Sequence, residues 1–323
     1  MNNYSWLQQK LHEFALSSNF MREVAFDVEI SFTTPKNNSD DHVFVSGLAR
    51  SGTTALLNAL YQSDAFASLS YDDMPFILAP NLWSKINSSS KSSDLVERAH
   101  GDGIKVSTES PEAFEEVFWM TFDENEKNDQ QKFKTYVQLI NHKYGKGRYL
   151  SKNNQNIRRL GLISKLFPCS RILIPFRHPI QHAYSLLSQH KKFIADSKED
   201  IFISNYMTWI GHTEFGPNYI PINQKNLNFV DHLHINHWIE QWHMTYKACY
   251  SMFKENPNIS FISYEKLCND KEYWLNILKI VGIDKPYNFI FRESVKEIHH
   301  VLNEELCQET LKIYDEMSKL EVS

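Results

Sequence analysis

The chain has 323 residues, a net charge of -5, 42% hydrophobic and 23% charged residues. Such usage in a chain this long supports a full buried core, and it excludes collagen, coiled coil and wholesale disorder. The acidic balance argues against bulk nucleic-acid binding, and four scattered cysteines (169, 249, 268 and 307) form neither a metal knuckle nor a disulfide framework.

Residues 1–40 read as an N-terminal helical extension. Trp6, Leu7, Leu11, Phe14 and Ala15 follow helical spacing, and a polar break follows at 37–41. The start lacks a basic head before an apolar run, and no stretch approaches the ~18 apolar residues of a membrane span. A cytoplasmic chain without a membrane span is expected. His42 to Gly47 reads as a buried strand, Gly47 to Thr54 as a turn and Thr54 to Tyr61 as a helix. The Ser-rich stretch from Asn87 to Asp94 reads as an exposed loop. A helix is expected over Pro111 to Met120, capped by Ser110, with Glu109, Glu112, Glu115 and Glu116 on a solvated start and face.

Tyr149 to Ser151 is a short strand, Ile157 to Phe167 a helix and Arg171 to Phe176 a second buried strand. Helices follow over Pro179 to Lys192 and Val230 to Phe253, then a strand over Ile259 to Tyr264 and helices over Tyr273 to Val281 and Asn303 to Lys319. This alternation implies an α/β fold: one three-layer, P-loop-like domain over 1–323 with a central parallel sheet and helices on both faces.

Chemistry concentrates at two strand ends. Gly47-Leu48-Ala49-Arg50-Ser51-Gly52-Thr53-Thr54 joins a strand to a helix, with its glycines spaced as in a Walker loop. Such a loop wraps backbone N–H groups around an anion at the positive end of a helix. Thr53 stands where the Walker lysine would be, and the cation comes three residues earlier as Arg50. Arg177-His178-Pro179 follows the second buried strand, and Ser185 lies about two helical turns further on, so Arg177 and Ser185 can grip one phosphate. Between Gln130 and Ala195 there is no acidic residue but 13 of the 34 Lys and Arg, a pattern that favours a compact polyanion. His232, His234 and His237 do not share one helix face, and no Cys or paired carboxylate completes a metal set; no metal is expected.

These two segments resemble PAPS-dependent sulfotransferases. GLARSGTT is similar to that family's 5'-phosphosulfate loop, and FRHPIQHAYS to its 3'-phosphate segment. The Arg-Ser-Gly-Thr-Thr form resembles the tyrosylprotein-like and bacterial carbohydrate-type branches. Weaker likeness runs from 42 to 320, and the family's late Arg-Lys-Gly segment has no counterpart over 282–323. The resemblance implies PAPS as donor and PAP as product, without a metal. It assigns Arg50, Ser51, Gly52, Thr53 and Thr54 to the 5'-phosphate and sulfuryl group, and Arg177 and Ser185 to the 3'-phosphate.

Sulfuryl transfer parallels phosphoryl transfer, with in-line attack and catalysis by position and electrostatics. Arg50 is the cation for the leaving oxygen. The acceptor hydroxyl needs a base. The tyrosylprotein-like branch points to Asp72 or Asp73, with Asp73 favoured, and the cytosolic branch to a histidine such as His100. Lys152 and Asn153 are candidates to line the acceptor cleft, and Trp238 and Trp242 read as core. The expected acceptor is a saccharide or other small alcohol. Two alternatives stay open: a P-loop-like kinase or NTPase with an altered loop, and a non-catalytic nucleotide-binding protein.

Overall fold

A computed structural model describes residues 5–35, 39–87, 96–97, 105–106, 110–198 and 201–320. The central sheet has four parallel strands in the order β4-β1-β5-β6. They are β1 (Val43–Val45), β4 (Leu150–Lys152), β5 (Arg171–Phe176) and β6 (Ile259–Ser263). Two-residue strands β2 (Val96–Glu97) and β3 (Lys105–Val106) form a separate antiparallel pair.

The strand side chains sort by their period of two. Val43, Val45, Leu150, Leu173 and Ile262 share one apolar cluster with the helices Thr53–Tyr61 and Lys271–Ile280. Phe44, Ile172, Ile174, Phe176 and Phe261 face a larger cluster with the helices Lys127–Tyr144 and Ile235–Phe253. The sheet is therefore covered on both faces, and its strands read as continuous apolar runs for that reason. In register, Val45 lies beside Lys152 on one side and Leu173 on the other. The loop after β1 thus opens between the carboxyl ends of two neighbours.

Several boundaries depart from expectation. The N-terminal stretch is two helices, Trp6–Leu16 and Asn19–Phe32. The second packs into the main core: Phe26 is fully buried with its ring 5.2 Å from that of Phe122. The buried Glu29 carboxylate accepts from Asn81 N, Asn81 Nδ2 and Leu82 N. It satisfies N–H groups left open at the start of the helix Pro80–Ile86. Residues 111–115 are not helical, because the chain hooks onto an earlier segment: Glu112 N donates to Leu69 O and Pro111 bridges Ser70. Only Glu116–Trp119 is helix there. Glu112 and Glu115 are buried rather than solvated, and Glu116 pairs with Arg159. Glu109 and nearly all of the Ser-rich loop lie outside the described residues. The long helix begins at Ile235, later than expected, since Glu240 accepts from Asn228 N and Phe229 N and holds the preceding chain against its flank. No described helix is long and apolar enough to cross a membrane.

Candidate nucleotide and acceptor site

The loop after β1 takes a shape few residues allow. Arg50 has φ 69° and Gly52 φ 102°, both in the left-handed region. At Gly52 a Cβ would sit 2.3 Å from Tyr264 Cδ2, so the tyrosine after β6 occupies the space a side chain would need. Gly47 is equally hemmed in: a Cβ there would lie 2.9 Å from Pro175 O, in β5. Ser51 is fully buried, and Thr53 and Thr54 open the following helix.

The structure brings the two sequence segments together. Arg50 Nε donates to Ser185 Oγ at 3.3 Å, which joins the loop to the helix Pro179–Asp196. His182, on the same helix, donates from Nε2 to Ala49 O at 2.7 Å. Burial drives its imidazole down to about 3, and Arg177 and Arg50 push the same way against the Ala49 hydrogen bond. His182 is therefore a neutral clamp on the loop. Sequence reasoning missed it, although His182 and Ser185 are spaced three apart on one helix face.

Arg177 leaves the end of β5. Its Nη2 donates to Ser294 O at 3.0 Å, while its buried Nε has no hydrogen-bond partner. A buried charged donor without a partner points to an anion that completes it. His178 N donates to Glu265 Oε1 at 2.7 Å, which fixes the turn into the helix.

Asp73, the favoured base, has another post. It is fully buried; Oδ2 accepts from Ser70 N at 2.8 Å and Tyr144 Oη at 2.7 Å, and Oδ1 from Lys143 Nζ at 2.5 Å. These donors come from its own turn and from the helix Lys127–Tyr144, and leave the carboxylate little capacity for a substrate proton. Asp72 lies half-buried on the same 3₁₀ turn, Tyr71–Asp73. Tyr71 Oη donates to Glu112 Oε2 at 3.1 Å, and Glu112 Oε1 stands 3.9 Å from Lys152 Nζ at the end of β4. Beside them Thr53 Oγ1 donates to Asn154 Oδ1 at 3.3 Å, and Asn154 Nδ2 donates to Glu214 Oε1 at 3.1 Å. His100 lies outside the described residues.

Part of the acid-free stretch serves ion pairs within the fold, while Arg177 of the same stretch keeps its unpartnered Nε. Its cations Lys143, Lys146, Arg148, Lys152 and Arg159 pair with acids elsewhere in the chain, namely Asp73, Asp64, Asp41, Glu112 and Glu116. Glu115, well upstream of the stretch, is fully buried and accepts from Ser151, Asn156 and Tyr149. Burial raises its carboxyl, against the pull of those hydrogen bonds. Buried His190 pairs with the exposed His232, Nε2 to Nδ1 at 2.7 Å. Among the described residues no group of three or more His, Cys, Asp or Glu is placed to hold a metal.

The family model for the sulfotransferase family matches residues 42–286, and the chain belongs to that family. Similar solved structures include the sulfotransferase STF1 from Mycobacterium tuberculosis H37Rv, 11% identical with a TM-score of 0.47 over 95% of this chain and 81% of that one. STF9 from Mycobacterium avium is 12% identical with a TM-score of 0.44, over 98% and 79% of the two chains. A sulfotransferase from Alicyclobacillus acidocaldarius is 13% identical with a TM-score of 0.40, over 86% and 92%. Among curated proteins, no sequence matches.

Proposed function

We propose that this sulfotransferase uses PAPS as donor and transfers its sulfuryl group to the hydroxyl of a small acceptor, leaving PAP. The observation that carries the reading is the 3.3 Å contact between Arg50 and Ser185, which couples the phosphate loop to the Arg177 segment. Two anion sites at adjacent strand ends suit a nucleotide phosphorylated at both 5' and 3' positions.

In this reading the loop from Ser51 to Thr54 holds the 5'-phosphosulfate, and Arg177 and Ser185 hold the 3'-phosphate. Arg177 Nε is the donor that ligand would complete. Arg50 lies between the two sites and stabilises charge on the phosphate oxygen as its bond to sulfur breaks. The acceptor oxygen forms the new bond to sulfur, and its proton passes to a carboxylate. With Asp73 engaged by three donors, Asp72 is the base we assign. Glu112, linked to the same turn through Tyr71 and facing Lys152, is the second candidate. No metal enters the scheme.

Thermal stabilisation by PAP, with Mg-ATP and AMP as controls, tests the donor. At ~100 times its Kd a ligand adds about 2.7 kcal/mol. A PAP-selective shift that disappears in Arg177→Ala is expected. A larger shift with Mg-ATP would overturn the reading in favour of an altered nucleotide kinase.

A further inference from the structure

A cavity of about 280 Å³ lies beside the helix Pro80–Ile86. A water needs about 10–15 Å³ of such space, so the cavity has room for on the order of 20 waters, or for a small molecule. Asn81, Ser84 and Lys85 line it from one face of that helix, since the latter two follow the first by three and four positions. The last turn of the helix Lys127–Tyr144 brings His142 and Lys143, and the end of the helix Asn19–Phe32 brings Phe32 and Thr34. No Asp or Glu is among its described lining residues.

These groups leave hydrogen-bonding capacity of both kinds. Asn81 is 6% exposed and spends its amide protons on Glu29 Oε1 and Leu139 O, so Oδ1 is left to accept. Ser84 Oγ donates to Asn81 O and keeps its lone pairs. Lys143 gives two of its three protons to Asp73 Oδ1 and Tyr144 Oη and keeps one. Lys85 is exposed and pairs with no acid among the described residues. The Phe32 ring, 74% exposed, adds an apolar face.

An apolar body would strip water from these groups and leave them unmatched. A compact polyanion would find one unmatched lysine only, because Lys143 already serves Asp73, and it would face two helix C-termini that carry about half a negative charge each. The hydroxyls of a sugar ring both donate and accept, and the C–H face of such a ring suits Phe32. We propose that this cavity binds a saccharide unit with a single anionic group, its hydroxyls on Asn81, Ser84 and Lys143 and its anion on Lys85. Lys143 ties the cavity to the turn Tyr71–Asp73, so an occupant lies one ion pair away from the turn that carries Asp72. None of the lining residues belongs to the phosphate loop or the Arg177 segment, and the proposal does not rest on the donor reading.

Calorimetric titration of the whole chain, held at saturating PAP, compares glucuronate with methyl glucoside and acetate. Glucuronate is expected to bind tightest, methyl glucoside up to about fivefold more weakly, the range of an exposed ion pair, and acetate weakest of the three. Lys85→Gln, at an exposed position, removes the gap between the two sugars. Ser84→Phe fills the cavity and abolishes binding of both, and a PAP titration of the same variant shows that the fold is intact. Acetate binding as tightly as glucuronate, a gap that survives Lys85→Gln, glucuronate binding unchanged in Ser84→Phe, or no glucuronate binding at all overturns the proposal. If PAP itself does not bind, the donor reading falls, and the sugar titrations on the free protein still decide this one.

Discussion

Replacing Asp73 by Ala separates a structural carboxylate from a catalytic one. The side chain is fully buried and its Lys143 partner is 11% exposed. Removing one member of a buried pair costs about 3–5 kcal/mol, because the other charge stays buried without compensation. Unfolding entropy near 2.1 cal/mol/K per residue makes about 0.7 kcal/mol per degree for this chain, so Tm should fall by about 4–7 °C. Tyr144 Oη and Ser70 N lose their acceptor as well, which keeps the estimate toward its upper end. Differential scanning calorimetry gives Tm, and a PAP titration of the same variant should match wild type within about twofold. Lys143→Met added to Asp73→Ala should recover part of the loss, since no buried cation remains. A variant with wild-type Tm and PAP affinity but abolished turnover would refute this account and restore Asp73 as the base.

Arg50→Gly removes the cation proposed to act on the leaving oxygen, from a position with φ 69° where glycine is at ease. Stability should change by under about 1 kcal/mol while transfer falls at least 100-fold in a single-turnover assay; a merely twofold loss would remove Arg50 from the mechanism. Gly52→Ala meets the Tyr264 ring and a left-handed φ together, so it should lose at least about 1–2 kcal/mol in urea unfolding and also its response to PAP. Stability should decline in acid. Burial, aided by Arg148 and Lys134, lowers His42 to about 4, and burial lowers His182 to about 3, so the unfolded chain takes up these protons first. Their contribution is complete above about pH 6.5 and is lost toward pH 4 at up to about 1.4 kcal/mol per pH unit for each histidine. A flat urea midpoint between pH 7 and 5 would contradict it.

The strand–loop–helix around Gly47 to Thr54 was legible because local constraints dictate it: a β-branched run, glycines at fixed separation, hydroxyls at a helix start. The meeting of Arg50 with Ser185 could be expected only through a family likeness, since 135 residues separate them. Asp73 shows the limit of local reading. Two adjacent acids before a proline look alike in sequence, and their fates are set by Lys143 and Tyr144, which a helix passed over in the sequence brings from far along the chain. That helix had a signal in Phe133, Tyr136, Val137 and Ile140, spaced three, four and seven apart and all buried. Glu112 and Glu115 were misread for a related reason: acids near a helix start are usually solvated, and only the tertiary fold supplies Ser151, Asn156 and Tyr149 to receive one of them.

The Glu29 carboxylate under the helix Pro80–Ile86 bears on where this protein can be cut. The family match begins at residue 42, an inviting point for a shortened chain. Such a chain would lack the carboxylate that receives Asn81 and Leu82, the Phe26 ring, and the Arg22 guanidinium that donates to Thr121. It would keep every residue of the phosphate loop and yet expose the flank on which the central helices rest. Homology marks the segment shared with relatives; the contacts that support the core reach back to the helix Asn19–Phe32.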